Sequence, residues 1–202
     1  GTRSLRAALS ALAATRTKRA ALNAGAAALL WLVFAAASGS AAAAVLNARM
    51  PAPSPDGSSI AFCYMGDIWI VDAEGGVARR LTVHEADDSF PSWSPNGSLI
   101  AFSSDRHGNT DVYVVPPAGG EPRRLTLHDS WDEVQGWTRD GAGVLFNSRR
   151  DTLEYELFEV GLEGGMPRRV IRDRANNPAV SPDGRWIAYV RGRTPWWRKH
   201  YR

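Results

Sequence analysis

A four-residue turn sequence recurs along this chain at intervals that leave few architectures open. Ser54-Pro55-Asp56-Gly57 returns as Ser94-Pro95-Asn96-Gly97, as Thr138-Arg139-Asp140-Gly141 and as Ser181-Pro182-Asp183-Gly184, with glycines 40, 44 and 43 residues apart. Three residues after each glycine stands an apolar triplet: Ile60-Ala61-Phe62, Ile100-Ala101-Phe102, Val144-Leu145-Phe146 and Ile187-Ala188-Tyr189. A third echo runs Asp67-Ile68-Trp69-Ile70-Val71, Asp111-Val112-Tyr113-Val114-Val115, Glu156-Leu157-Phe158-Glu159-Val160. Glycine pairs follow at 75–76, 119–120 and 164–165, and then the arginine pairs 79–80, 123–124 and 168–169. So many features in one register exclude coincidence.

Each unit reads as four short strands. A run ending in Trp93 or Trp137 is the first. The proline of the turn presets one backbone angle and its glycine takes the left-handed one. The apolar triplet is the second strand, alternation through Ile68 and Ile70 marks the third, and the glycine-pair hairpin leads to a fourth over 79–82 or 123–126. Four strands in about 40–45 residues is the length of a β-propeller blade, and such blades must stack to bury both faces. The expectation is an all-β chain, three blades and the start of a fourth from a larger ring. The blades fall at about 50–87, 88–131, 132–173 and, incomplete, 174–202.

The propeller occupies 46–202, and residues 1–45 read as an address. Arg16, Lys18 and Arg19 precede an uncharged run from Ala20 to Ala44 that passes from an Ala/Leu-rich centre with Trp31 and Phe34 into small residues. That is the order of a secretory signal peptide. A retained hydrophobic helix anchoring the chain in a membrane is the competing reading, although alanine is only weakly apolar. Either one exports the domain that follows, to a periplasmic or extracellular location. The charge balance agrees with this division. Of 24 basic residues, six lie in 1–50 and five in 191–202, which leaves 13 against all 21 acidic residues between them, a net of −8. An acidic body argues against a nucleic-acid partner. The single cysteine, Cys63, excludes an internal disulfide.

The repeat wording resembles the WD-like propeller repeats of the TolB family and of tricorn-like serine peptidases, over residues 50–202. Two segments tilt the resemblance toward the peptidases. One is Trp131-Asp132-Glu133-Val134-Gln135-Gly136-Trp137-Thr138 with Asn147-Ser148-Arg149-Arg150; the other is the Trp/Lys/Tyr/Arg-rich stretch 191–202. The resemblance implies a propeller that filters or delivers peptides to a peptidase core in the parent protein. A TolB-like interaction propeller without catalysis is the alternative. So is the propeller of another hydrolase, prolyl-oligopeptidase-type or amidohydrolase.

The chain carries no GxSxG elbow, HExxH helix or P-loop pattern, so no catalytic, cofactor or metal residue is assigned. In an antiparallel blade the loops between second and third strands share a face with the connections between blades. That face collects His84, Asp88, Arg106, His107, His128 and Asp132, together with Trp196, Trp197, Arg198, His200 and Tyr201 of the terminal segment. It is the candidate surface for peptides or a protein partner. His84 and His128, 44 residues apart, read as corner caps or as part of a histidine-lined route. The acids around them (Glu85, Asp87, Asp88, Asp129, Asp132, Glu133) read as solvated loop charge, or as partners for a cation or a peptide amino terminus. Trp196 and Trp197 read as packing onto a neighbouring blade or as stacking surfaces for peptide side chains. The paired arginines read as strand residues covering the sheet with their stems, or as an anion site.

Overall fold

The computed structural model describes residues 47–172, 175–181 and 183–191. The expected signal or anchor at 1–45 and the stretch 192–202 lie outside them. Within the described residues the chain is all β, in successive antiparallel meanders. The first sheet is β1 (Arg49–Pro53), β2 (Ser59–Tyr64), β3 (Asp67–Asp72) and β4 (Arg79–Arg80). The second is β5 (Asp88–Trp93), β6 (Ile100–Ser104), β7 (Asp111–Val115) and β8 (Arg123–Arg124). The third is β9 (Glu133–Trp137), β10 (Gly143–Ser148), β11 (Glu156–Gly161) and β12 (Arg168–Ile171). A final hairpin pairs β13 (Ala175–Val180) with β14 (Ile187–Arg191). These are propeller blades, three of four strands and the beginning of another.

The recurring turn closes the first hairpin of every blade by the same bonds. Ser54 Oγ donates to Asp56 Oδ1 at 2.5 Å and accepts the Ser59 N–H, while Gly57 supplies a φ of +72°. Ser58 also donates to Asp56, from its N–H and its hydroxyl. The Ser54 hydroxyl, followed by these two donors, holds the Asp56 carboxyl down to about 2. Asp140 and Asp183 are lowered in the same way, first by Thr138 and Ser181. Asn96 accepts the equivalent bonds from Ser94 and Ser98 without a charge. A carboxyl depressed in the folded state contributes stability above its unfolded pKa and loses it as pH falls through the folded value. Carboxyl-carbon NMR titration should therefore place the Asp56 midpoint near 2. The first hairpin should loosen on acidification before the one at Asn96. A midpoint in the ordinary aspartate range would contradict the turn geometry.

The fourth strand is shorter than the sequence suggests in the first two blades, two residues instead of four. The ladder ends where side chains take over. The Leu81 N–H reaches the Ile68 carbonyl at 2.8 Å, and Thr82 Oγ1 accepts the Ile68 N–H at 2.9 Å. Leu125 and Thr126 do the same for Val112. The paired arginines also do more than cover the sheet. Arg80 pairs with Asp67 at 2.5 Å, Arg124 with Asp111, and Arg169 with Glu156 at 3.4 Å. Arg79 and Arg123 each donate to a carbonyl of the following blade, Pro117 and Leu162. Arg168 pairs with Glu159, so in all three pairs each arginine has a partner within the protein.

The core lies between blades. Ala61, Cys63, Ile68, Ile70 and Leu81 of the first face Ile100, Phe102, Tyr113 and Val115 of the second. Ala101, Val112, Val114 and Leu125 of the second face Val144, Phe146, Phe158 and Val160 of the third. Leu145 and Leu157 then meet Ala175. Small alanines on one face leave room for aromatic rings from the next, which is how sheets interdigitate. Burial pushes the Cys63 thiol up to about 11, so it packs as an inert apolar side chain. Indole N–H groups staple the inner strands: Trp93 donates to the Ala52 carbonyl and Trp137 to the Ser92 carbonyl, both at 3.0 Å.

Candidate functional site

The loops expected on one face do meet there. The Asp87 N–H donates to Asp105 Oδ1 at 2.9 Å, and the Asp88 N–H to the Gly66 carbonyl at 2.7 Å. One blade on, Asn109 donates to the His128 and Ser130 carbonyls, and the Asp132 N–H to the Thr110 carbonyl. In the first two blades the second-to-third loop is thus tied to the connection entering the next blade. Trp196, Trp197, Arg198, His200 and Tyr201, assigned to the same face by sequence, lie outside the described residues.

Within this face the candidates separate into two kinds. His84 and His128 are exposed, and each accepts through Nδ1, at 3.0 Å, the backbone N–H two residues further on. They cap corners. His107 is exposed as well; its Nδ1 lies 2.6 Å from the buried Tyr113 hydroxyl and its ring stacks on the tyrosine. Asp88 and Asp132 are buried, which corrects their reading as solvated loop charge. Arg106 Nη2 donates to both Asp88 oxygens, at 3.0 and 3.1 Å, and its Nε donates to Ser104 Oγ. Its guanidinium lies over Phe102 and Tyr113, 5.4 and 4.8 Å from the ring centroids. Arg150 repeats the arrangement in the third blade, bonding Asp132 at 2.6 Å and lying over Phe146 and Phe158. Arg106, Asp88 and Asp132 therefore hold the loop face together from beneath and offer no free charge to a ligand. Arg150 was missed by sequence reasoning. The signal was there, since Ser148 and Arg150 follow Ser104 and Arg106 at the same 44-residue interval.

One concave feature of this end is a groove of about 350 Å³ between the first strands of the four described blades. Met50 and Pro51 come from β1, Phe90, Pro91 and Ser92 from β5, Glu133, Val134 and Gln135 from β9, Asn177 and Pro178 from β13. These strands are innermost because β1 meets β5, β5 meets β9 and β9 meets β13. Each is kinked by a register shift in its pairing. At the kink Met50, Phe90 and Asn177 adopt left-handed φ of 53°, 53° and 49°. Bulges of this kind re-aim side chains, and here those side chains line the groove. The wall mixes polar and apolar groups, with Glu133 its one acidic residue. Burial pushes the Glu133 carboxyl up, against a lowering bond from Gln135. His84 and His128 do not line it. Among the described residues no group of three His, Cys, Asp or Glu side chains is placed to hold a metal ion.

Comparison with known proteins agrees with this architecture. The family model described as the tricorn protease N-terminal β-propeller domain matches residues 47–202. An uncharacterized protein of Agrobacterium fabrum is 41% identical over 59 residues, 27% of this chain and 20% of that protein. A structure of TolB from Agrobacterium tumefaciens superposes with a TM-score of 0.62 at 27% identity, over 70% of this chain and 53% of the other. The tricorn protease superposes with a TM-score of 0.57 at 20% identity, over 68% of this chain and 14% of that one. The chain thus spans about half or less of the length of each protein it is similar to.

Proposed function

This chain belongs to the family of tricorn protease N-terminal β-propeller domains, and from that membership we propose that it is the propeller section of an exported tricorn-like serine peptidase. The propeller guides or filters peptides toward a catalytic domain elsewhere in the parent protein. The observation that carries this reading is the proline-rich groove of about 350 Å³ between the first strands of four successive blades, lined by both polar and apolar side chains. The basic cluster and uncharged run of the first 45 residues support export.

The test uses the parent protein and two substrates, a decapeptide and a small chromogenic amide. Ser92→Trp narrows the groove without touching a hydrogen bond made by the serine side chain. It should lower kcat/KM for the decapeptide about tenfold and leave the small amide within about twofold, the pattern of lost access rather than lost chemistry. Equal values for wild type and variant with both substrates would overturn the guiding role.

A second reading is favoured by the likeness to TolB: a propeller that binds a protein partner at its loop face and has no peptidase attached. A parent protein without hydrolysis sensitive to a serine-directed reagent would select it.

A further inference from the structure

The carboxylates of this propeller that lie away from water almost all carry a cation. Asp67, Asp88, Asp111, Asp132 and Glu156 are buried, and each is paired with an arginine. Glu133 differs from them in being only partly buried and in having no arginine partner among the described residues. It is half-buried in the groove wall, and among the described residues its bonding partner is Gln135, whose Nε2 donates to Oε1 at 2.8 Å. Arg49 holds the equivalent position on β1, yet it makes no ion pair with Glu133. The carboxylate is partly desolvated with one neutral donor on Oε1, and Oε2 is not among the polar atoms sealed from water, so it is open to the groove. Unpaired acids of this kind in concave sites are candidates for ligand contact.

We propose that Glu133 anchors the free α-ammonium end of a peptide lying in the groove, an inference that rests on the groove being a peptide path. The neighbouring groups select among cations. A guanidinium wants both oxygens of a carboxylate side by side, but Oε1 is already engaged by Gln135. A divalent metal wants several oxygen or nitrogen ligands, and the groove offers one carboxylate. A primary ammonium has three donors and no acceptor. Glu133, Gln135 and Asn177 stand in the same wall, and a carboxylate and two amide carbonyl groups supply acceptors of the kind it needs. The first side chain of the peptide would lie against Met50 and Phe90. Pro51, Pro91 and Pro178 remove backbone N–H groups from the wall, so a peptide cannot zip onto it as an added strand. Its terminus and side chains must carry recognition. An ammonium against Oε2 favours the charged carboxylate and so opposes the upward push on Glu133.

The experiment measures binding of one hexapeptide, Ala-Phe-Ala-Gly-Ala-Gly, to the full chain by fluorescence anisotropy. The peptide carries fluorescein at its carboxyl end and is used with a free or an acetylated amino terminus. The free form should bind about tenfold more tightly, the usual scale of a charge-assisted bond. Glu133→Gln keeps the size of the side chain and should erase the preference while leaving the acetylated peptide unaffected. Circular dichroism and the urea midpoint of the variant confirm its fold. Equal affinities in the native chain, or a preference that survives Glu133→Gln, would overturn the anchor and leave the peptide path standing. Binding of neither peptide would overturn both.

Discussion

Replacing Arg106 by leucine is expected to lower the unfolding free energy by about 3–5 kcal/mol, the range for breaking a buried ion pair from one side. The expectation follows from what Arg106 leaves behind. The Asp88 side chain is 0% exposed, and both of its oxygens are bonded by the arginine. With Arg106 gone, water cannot reach them without opening the seam between the first two blades. Leucine also forfeits the guanidinium contacts with the faces of Phe102 and Tyr113. Urea denaturation of the two proteins reads the difference directly. A double variant, Asp88→Leu with Arg106→Leu, should recover most of the loss, because removing both charges leaves no orphan. A single-variant loss under about 1 kcal/mol would mean the pair behaves like a surface salt bridge.

That pair also marks where sequence reading ran out. The blade was legible because its signals are local: a proline and a glycine in one turn, an apolar triplet three residues on, a threonine closing the last strand. The capping role of His84 and His128 was legible for the same reason, since each bonds a backbone group two residues away. Asp88 and Asp132 were not. Both sit at the end of acidic, loop-like stretches, and their partners Arg106 and Arg150 are 18 residues away at the far end of the next strand. Burial of those carboxylates is decided by the stacking of blades, which no single repeat contains. The groove was hidden more deeply still, because each blade contributes only two or three residues to it. Glu133 adjoins Asp132 in sequence, yet one turns into the groove wall and the other toward Arg150. Strand alternation separates their fates, once the first strand is known to be innermost.

The same dependence on stacking predicts different outcomes for one residue type at one repeat position. Phe62, Phe102 and Phe146 are equivalent by spacing from the turn glycine. Phe146 is fully buried, stacked on Phe158 with centroids 5.8 Å apart, and packed against Val112, Val114 and Leu125 of the preceding blade. Arg150 lies over its face at 5.0 Å and in turn bonds Asp132. Phe146→Ala should therefore cost about 3–5 kcal/mol, transfer and cavity together, since two packed sheets cannot both collapse into the space. Phe62 belongs to no blade-to-blade cluster among the described residues. Phe62→Ala should cost about 2 kcal/mol, close to the burial contribution alone. Urea midpoints of the two variants, measured on the full chain, give the comparison. Equal losses would show that each blade carries its own core, and that stacking does not set the stability of this propeller. A larger loss at Phe146 would locate it between the blades, where the Asp132–Arg150 pair lies against the same rings.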